Sequence, residues 1–149
     1  MTPASDLALL FVAAFGAATL LPFQSEIVFA AVQAAGRVPV WVLVAVASTG
    51  NVLGSAVNYV MGRSAERFSE RRWFPASPEQ LARAQRWYAR WGVWTLLLSW
   101  APFADPLTVV AGVMRTPIWL FLALVTLAKI GRYAILAGLV GGAMRVAGG

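Results

Sequence analysis

VPVWVLVAVASTGNVLGSAVNYVMG, residues 38–62, runs for 25 positions without an ionisable side chain. About 20 apolar residues, at 1.5 Å of rise each, cross the hydrocarbon core of a bilayer, so this stretch reads as a membrane-spanning helix. Its small and polar residues Gly50, Gly54, Asn58 and Gly62 recur every four positions. That spacing puts them on one face, where a second helix backbone can approach closely. Ser48, Thr49, Asn51, Ser55 and Tyr59 add a polar side, which in lipid more often joins helices than binds a substrate. Arg63 closes the helix as a snorkelling interface residue.

The whole chain fits that reading. Of its 149 residues 60% are hydrophobic and 12% charged, with a mean hydropathy of +0.71, whereas a soluble domain carries about twice the charge. Four apolar blocks, roughly 6–35, 38–62, 92–114 and 117–147, surround a polar insertion over 63–90. Residues 7–25 also lack ionisable groups, but no basic region precedes them and further apolar blocks follow, so no cleaved signal is expected. One membrane domain over 1–149 is expected, with a first half 1–62, an Arg-rich insertion 63–91 and a second half 92–149. Its class is all-α and integral to the membrane.

Cysteine and histidine are absent, which removes disulfides, thiolate nucleophiles, Cys/His metal sites and histidine bases. The six acids are scattered, and only Glu66 and Glu70 lie close in sequence, beside arginines. No metal, no cofactor and no enzymatic activity are therefore expected. The net charge of +6 gathers beside apolar segments, so a membrane surface is the expected partner and nucleic acid is not.

Each half opens with a broken apolar segment: Pro22-Phe23-Gln24-Ser25-Glu26 in one, Pro102-Phe103-Ala104-Asp105-Pro106 in the other. Each then continues into a longer helix, the second carrying Ala134, Gly138 and Gly142 at the same four-residue spacing. This order is what an inverted repeat leaves behind. Block one would be about 45 Å long as a straight helix, more than the core of about 30 Å. Either two re-entrant hairpins break at Pro22 and at Pro102 and Pro106, or both segments are kinked and span. The seven arginines of the insertion place it in the cytoplasm, and both topologies leave eight basic residues inside and two outside. Hairpins are preferred, because irregular backbone beside an acid, sheltered from lipid, is how binding sites are built at membrane depth. Two pseudo-symmetric halves result, each a re-entrant broken hairpin plus a spanning helix.

Within the insertion, Ser77-Pro78-Glu79-Gln80 is a capping box with proline at the first helical position. The helix it starts has Leu81, Ala84, Tyr88 and Trp91 on one side and Arg83, Arg86 and Arg90 on the other, and is expected at the membrane interface. Trp73, Trp87, Trp91 and Trp94 would form an aromatic belt, and Arg63, Arg67 and Arg71 a second basic row.

Glu26 and Asp105 are the candidate functional acids, and Lys129 and Arg132, which interrupt the last apolar block, their candidate partners. An unpaired charge at bilayer depth costs about 2.5–3.5 kcal/mol, so such residues commonly mark substrate or proton paths. The competing reading is structural: two acids and two bases that hold the halves together. Arg115, ending the second broken segment, is a snorkelling residue or a contact for a lipid phosphate.

Gly50-Asn51-Val52-Leu53-Gly54 followed by Asn58-Tyr59-Val60-Met61-Gly62-Arg63 resembles the Gly-x-x-x-Gly...Tyr-x-x-Gly-Arg segment of the DedA superfamily, also called the VTT or SNARE-associated Golgi protein domain. Leu21-Pro22...Ser25-Glu26, the run from Leu97 through Pro102 and Asp105-Pro106 to Gly112, and Lys129...Arg132-Tyr133 are similar to its small YqaA-like branch. The resemblance implies two inward-pointing re-entrant hairpins and the movement of lipids, phospholipid or polyprenyl phosphate. Larger members carry arginines where Ser99, Trp100 and Asp105 stand here. The expected function is a lipid transporter, flippase or scramblase of the bacterial inner membrane, multi-pass, in which protonation of Glu26 or Asp105 releases a base for the headgroup. A proton-coupled exporter of small solutes or drugs, and a non-transport membrane scaffold, are the alternatives; in any of these readings the glycine rows can pair helices within one chain or join two copies in a homo-oligomer.

Overall fold

A computed structural model describes residues 2–19, 24–64, 77–101 and 104–149. Pro22, Pro102, Glu66, Arg67, Glu70, Arg71 and Trp73, which carry some of the expectations above, lie outside them. The described residues form six α-helices and one 3₁₀ segment, and contain no strand. The α-helices are α1 (Pro3–Thr19), α2 (Gln24–Ala35), α3 (Val40–Arg63), α4 (Pro78–Trp91), α5 (Pro106–Val113) and α6 (Ile118–Gly148), and the 3₁₀ segment, Gly92–Trp100, lies between α4 and α5.

Two of these, α3 with 24 residues and α6 with 31, are long and apolar enough to cross a membrane. At 1.5 Å per residue they reach about 36 and 46 Å, beyond the hydrocarbon thickness. Both begin alike. Pro39 and Pro117 hold extended backbone before the helix, and their carbonyls accept the N–H groups of Leu43 and Phe121. A shared Arg-x-Pro-x-Trp pattern surrounds them, Arg37-Val38-Pro39-Val40-Trp41 and Arg115-Thr116-Pro117-Ile118-Trp119, with the two tryptophans 74% and 71% exposed. This shared pattern relates the starts of α3 and α6 more directly than the glycine spacing does.

The shorter elements distribute themselves between the two long helices crosswise. α1 and α5 pack on α3, while α2 and the 3₁₀ segment pack on α6. Each long helix thus takes one limb from each broken segment. Exchanging α1 with the 3₁₀ segment, α2 with α5, and α3 with α6 carries these contacts onto one another. The ends of each broken segment also lie together. Asp6 near the start of α1 pairs with Arg37 just past α2, and Tyr88 before the 3₁₀ segment bonds to Thr116 just past α5.

Glycines on α3 are where backbones meet. A Cβ on Gly50 would lie 2.7 Å from the carbonyl oxygen of Phe11, and one on Gly54 2.6 Å from that of Phe15, both on α1. Further along, Gly62 faces the Val109 carbonyl and Gly112 of α5 faces the Tyr59 carbonyl so closely that any Cβ there would overlap them. The matching row on α6 behaves differently from the expectation. Ala134, Gly138 and Gly142 are exposed, and nothing lies within 4 Å of a Cβ on Gly138 or Gly142. A helix has one inward stripe, and on α6 it is taken by Phe121, Val125, Lys129, Arg132, Tyr133 and Ala137.

The capping box is present as the sequence reads. Gln80 N–H donates to the Ser77 hydroxyl, and Ser77 N–H to Gln80 Oε1, with Pro78 at the first helical position. The inner face of α4 packs on protein, however: Ala84 and Tyr88 are buried against Leu107, Val110 and Ala111 of α5 and Phe121 of α6. Trp91, read as part of that face, is 54% exposed and joins Trp87 and Trp94 on the outside. Gly92, at φ 63°, ends the helix in a conformation that costs glycine little, and its N–H bonds to the Tyr88 carbonyl.

Candidate functional site

Both candidate acids stand at the start of a helix. Glu26 is in the first turn of α2, and Asp105 directly precedes α5, whose first residue is Pro106. Free N–H groups and the helix dipole favour negative charge there. The cations come from one helix: Lys129 and Arg132, three positions apart on α6, share its inward stripe.

The pairing is one-to-one. Lys129 Nζ lies 3.0 Å from Asp105 Oδ1, and the Arg132 guanidinium pairs with Glu26. Exposure differs within each pair in the same sense. The acid side chains are 15% and 26% exposed for Asp105 and Glu26, the bases 0% and 8% for Lys129 and Arg132. The acid is thus the more accessible member of each pair.

Two polar chains tie these pairs to α3. In the first, Asn51 Nδ2 donates to the Tyr133 hydroxyl at 3.2 Å, Tyr133 to the Ser25 hydroxyl at 3.1 Å, and Ser25 to Glu26 Oε2 at 3.2 Å. The Tyr133 ring also stacks on Phe29 of α2, centroids 5.6 Å apart. In the second, Asn58 Nδ2 donates to Thr108 Oγ1 at 3.1 Å, and the Thr108 hydroxyl to the Asp105 carbonyl at 2.6 Å. The two asparagines are seven residues apart, so they share one face of α3. Each also donates to α1, Asn51 to the Ala14 carbonyl and Asn58 to that of Ala18 in the last turn, a carbonyl without a helical partner. Asn51, Asn58 and their partners thus join α1, α2, α3, α5 and α6 around two ion pairs.

The other predicted residues lie elsewhere. Arg115 is exposed, at φ 55° in the turn past α5, and is in neither ion pair. Arg63 reaches back from the end of α3 to the Tyr59 hydroxyl at 3.3 Å. Tyr59 in turn donates to the Thr116 carbonyl, and the Thr116 hydroxyl bonds that of Tyr88, so this cluster clamps α3 and α4 to the turn before α6. Burial raises the Tyr88 pKa, the hydrogen bond from Thr116 opposes that, and Tyr59 adds to the rise. Tyr88 accordingly stays a neutral hydroxyl at ordinary pH.

Sequence reasoning missed Asp6. It is fully buried, and its Oδ2 lies 2.7 Å from Arg37 Nη2. An acid in a first helical turn passes as favourable terminus charge. The signal that points to more is Arg37, a base in an otherwise apolar turn, and its counterpart Arg115 in the shared Arg-x-Pro-x-Trp pattern. Tyr133 and Thr108, the connectors of the two polar chains, fall within the motif runs quoted above, but nothing in those runs gives either a role of its own.

A family model described as the VTT domain matches residues 21–141, which includes both ion pairs and both asparagines. The inner membrane protein YqaA of Escherichia coli is 40% identical over 128 residues, covering 83% of this chain and 85% of that protein; YqaA of Shigella flexneri gives the same figures. An uncharacterized protein of Haemophilus influenzae is 30% identical over 141 residues, covering 89% and 86%. No solved structure matches.

Proposed function

The chain belongs to the VTT-domain, or DedA, family of membrane proteins, and on that premise we propose that it moves a lipid with an anionic headgroup across the bacterial inner membrane. The observation that carries this reading is the pair of acid–base couples, each with its acid at a helix N-terminus. A cation beside free N–H groups is what a phosphate oxygen needs, and here a carboxylate holds that place. Protonation of Glu26 or Asp105 releases Arg132 or Lys129 to the headgroup, and loss of that proton displaces it. The more open acids face the incoming group, and the bases stay sheltered until the acid is neutral.

In this reading residues 1–149 act as one membrane domain of two inverted halves. The first hairpin is α1 with α2 and the second is the 3₁₀ segment with α5; each enters and leaves on one side. The crosswise packing, the shared Arg-x-Pro-x-Trp pattern and the meeting of each segment's ends support that arrangement. The Arg-rich insertion 63–91 lies in the cytoplasm by its charge. Lipid and proton are the partners; no catalytic nucleophile is called for, and the chain is a transporter rather than an enzyme.

The test is translocation of headgroup-labelled phospholipid or polyprenyl phosphate in proteoliposomes, read by surface quenching across a pH series. Flux that rises as pH falls supports the proton-released base. Flux independent of pH removes the mechanism, and competition by soluble cations without any effect of lipid turns the reading to a solute exporter.

A further inference from the structure

Away from the charged centre, α4, the 3₁₀ segment and the start of α5 enclose an open cleft of about 490 Å³. Its walls are mainly apolar, with Trp87 from α4, Leu98 from the 3₁₀ segment, Ala101 just past it and Leu107 from α5, while Gln80 and Arg83 of α4 are its polar lining. The cationic side chain among its lining residues is Arg83, one turn before Trp87. Among the described residues no carboxylate lines the cleft, and Arg83 has no ion-pair partner. Trp87 and Leu98 also line a neighbouring hollow of about 320 Å³ with Trp91 and Trp94, so the cleft lies beside an aromatic flank. Those tryptophans are 49–67% exposed, as residues at the headgroup level of a bilayer are.

A mainly apolar cleft with one guanidinium that no described carboxylate pairs fits an amphiphile with an anion at its end. The planar fork of arginine matches two phosphate oxygens, and the volume is that of a small-molecule site. We propose that this cleft docks one anionic phospholipid, its phosphate on Arg83 and an acyl chain against Leu98, Ala101 and Leu107. Ala104 and Pro106, on either side of Asp105 in the chain, also line the cleft, so the docked lipid waits beside the second ion pair. The proposal rests on the membrane reading above and gives transport a lateral loading site.

The experiment is native mass spectrometry of the full chain in maltoside detergent, titrated with phosphatidylglycerol, diacylglycerol or inorganic phosphate. One phosphatidylglycerol per chain should bind saturably, with the other two far weaker. Arg83→Gln should weaken it about five- to tenfold, while Arg86→Gln, on the same helix but away from the cleft lining, should not. Ala101→Trp, which fills the cleft, should abolish binding, and a thermal melt separates that from unfolding. Unchanged affinity in Arg83→Gln, or diacylglycerol or phosphate binding as tightly as phosphatidylglycerol, overturns the site. Binding is counted without flux: a chain that binds lipid here yet moves none keeps this site and loses the transport reading, and the reverse outcome removes only the site.

Discussion

α3 and α6 carry small residues at the same four-residue interval, yet they use them in opposite ways. On α3 the row is buried: α1 rests on Gly50 and Gly54, and α5 crosses at Gly62. On α6 the row Ala134, Gly138 and Gly142 faces outward, and the inward stripe holds Lys129, Arg132 and Tyr133. α3, uncharged until Arg63 at its end, is therefore the scaffold against which limbs of both broken segments pack, and Asn51 and Asn58 bond to them. α6 is the charged helix. Spacing alone says that a face exists; what occupies the remaining faces decides which one turns inward.

The largest effect should come from breaking the charged side of this contrast. Lys129→Met leaves the mostly buried Asp105 carboxylate without its cation and should destabilise the fold by about 3–5 kcal/mol. Adding Asp105→Leu to that variant should recover most of the loss while leaving lipid flux absent. Both are read by thermal unfolding of the purified protein in detergent. Full stability in Lys129→Met alone would mean that the pair does not hold the halves together.

Next is Gly62→Ala. Its methyl group must push α5 away from α3, an overpacking cost of about 1–3 kcal/mol, and Gly112→Ala should cost as much from the other side of the same contact. Below that stands Asn58→Ala, which removes donors to Thr108 and Ala18 and should cost about 1–2 kcal/mol. Smallest, and of opposite sign, is Gly138→Ala. With open space around its Cβ, alanine should stabilise α6 by up to about 1 kcal/mol through helix propensity. Destabilisation there would show that the outward row of α6 packs against something, a second copy of the chain being the first candidate, which the mass of the protein–detergent complex would reveal.

Much of this architecture was legible in the sequence, for reasons that differ by element. The capping box at Ser77–Gln80 depends on four adjacent residues and was fully readable. So was the close approach at Gly50, Gly54 and Gly62, because a polar and small face in an apolar helix leaves few other uses. The set Glu26, Asp105, Lys129 and Arg132 followed from the cost of charge in lipid, but its pairing did not. Which acid meets which base depends on the crosswise packing of α2 and the 3₁₀ segment on α6, a long-range arrangement without local signature. Asp6 was lost because an acid in a first helical turn looks ordinary. For Arg115 the charge is readable in the sequence and the direction of the side chain is not. The inner face of α4 showed the same limit: amphipathicity reveals an apolar side, and protein or lipid can satisfy it.

The two acid–base couples are proposed to form the transport centre and to be more than a structural clasp, and the acids distinguish the two. Glu26→Gln and Asp105→Asn keep size and hydrogen bonding but cannot exchange a proton. Each should be compared with the parent in proteoliposomes for flux of headgroup-labelled lipid, after thermal melts establish that it folds. The account predicts that both variants fold and lose at least about tenfold in flux, equivalent to about 1.4 kcal/mol, together with the pH dependence of what remains. Parent-like, pH-dependent flux in both folded variants would contradict it and leave the charged centre as a clasp.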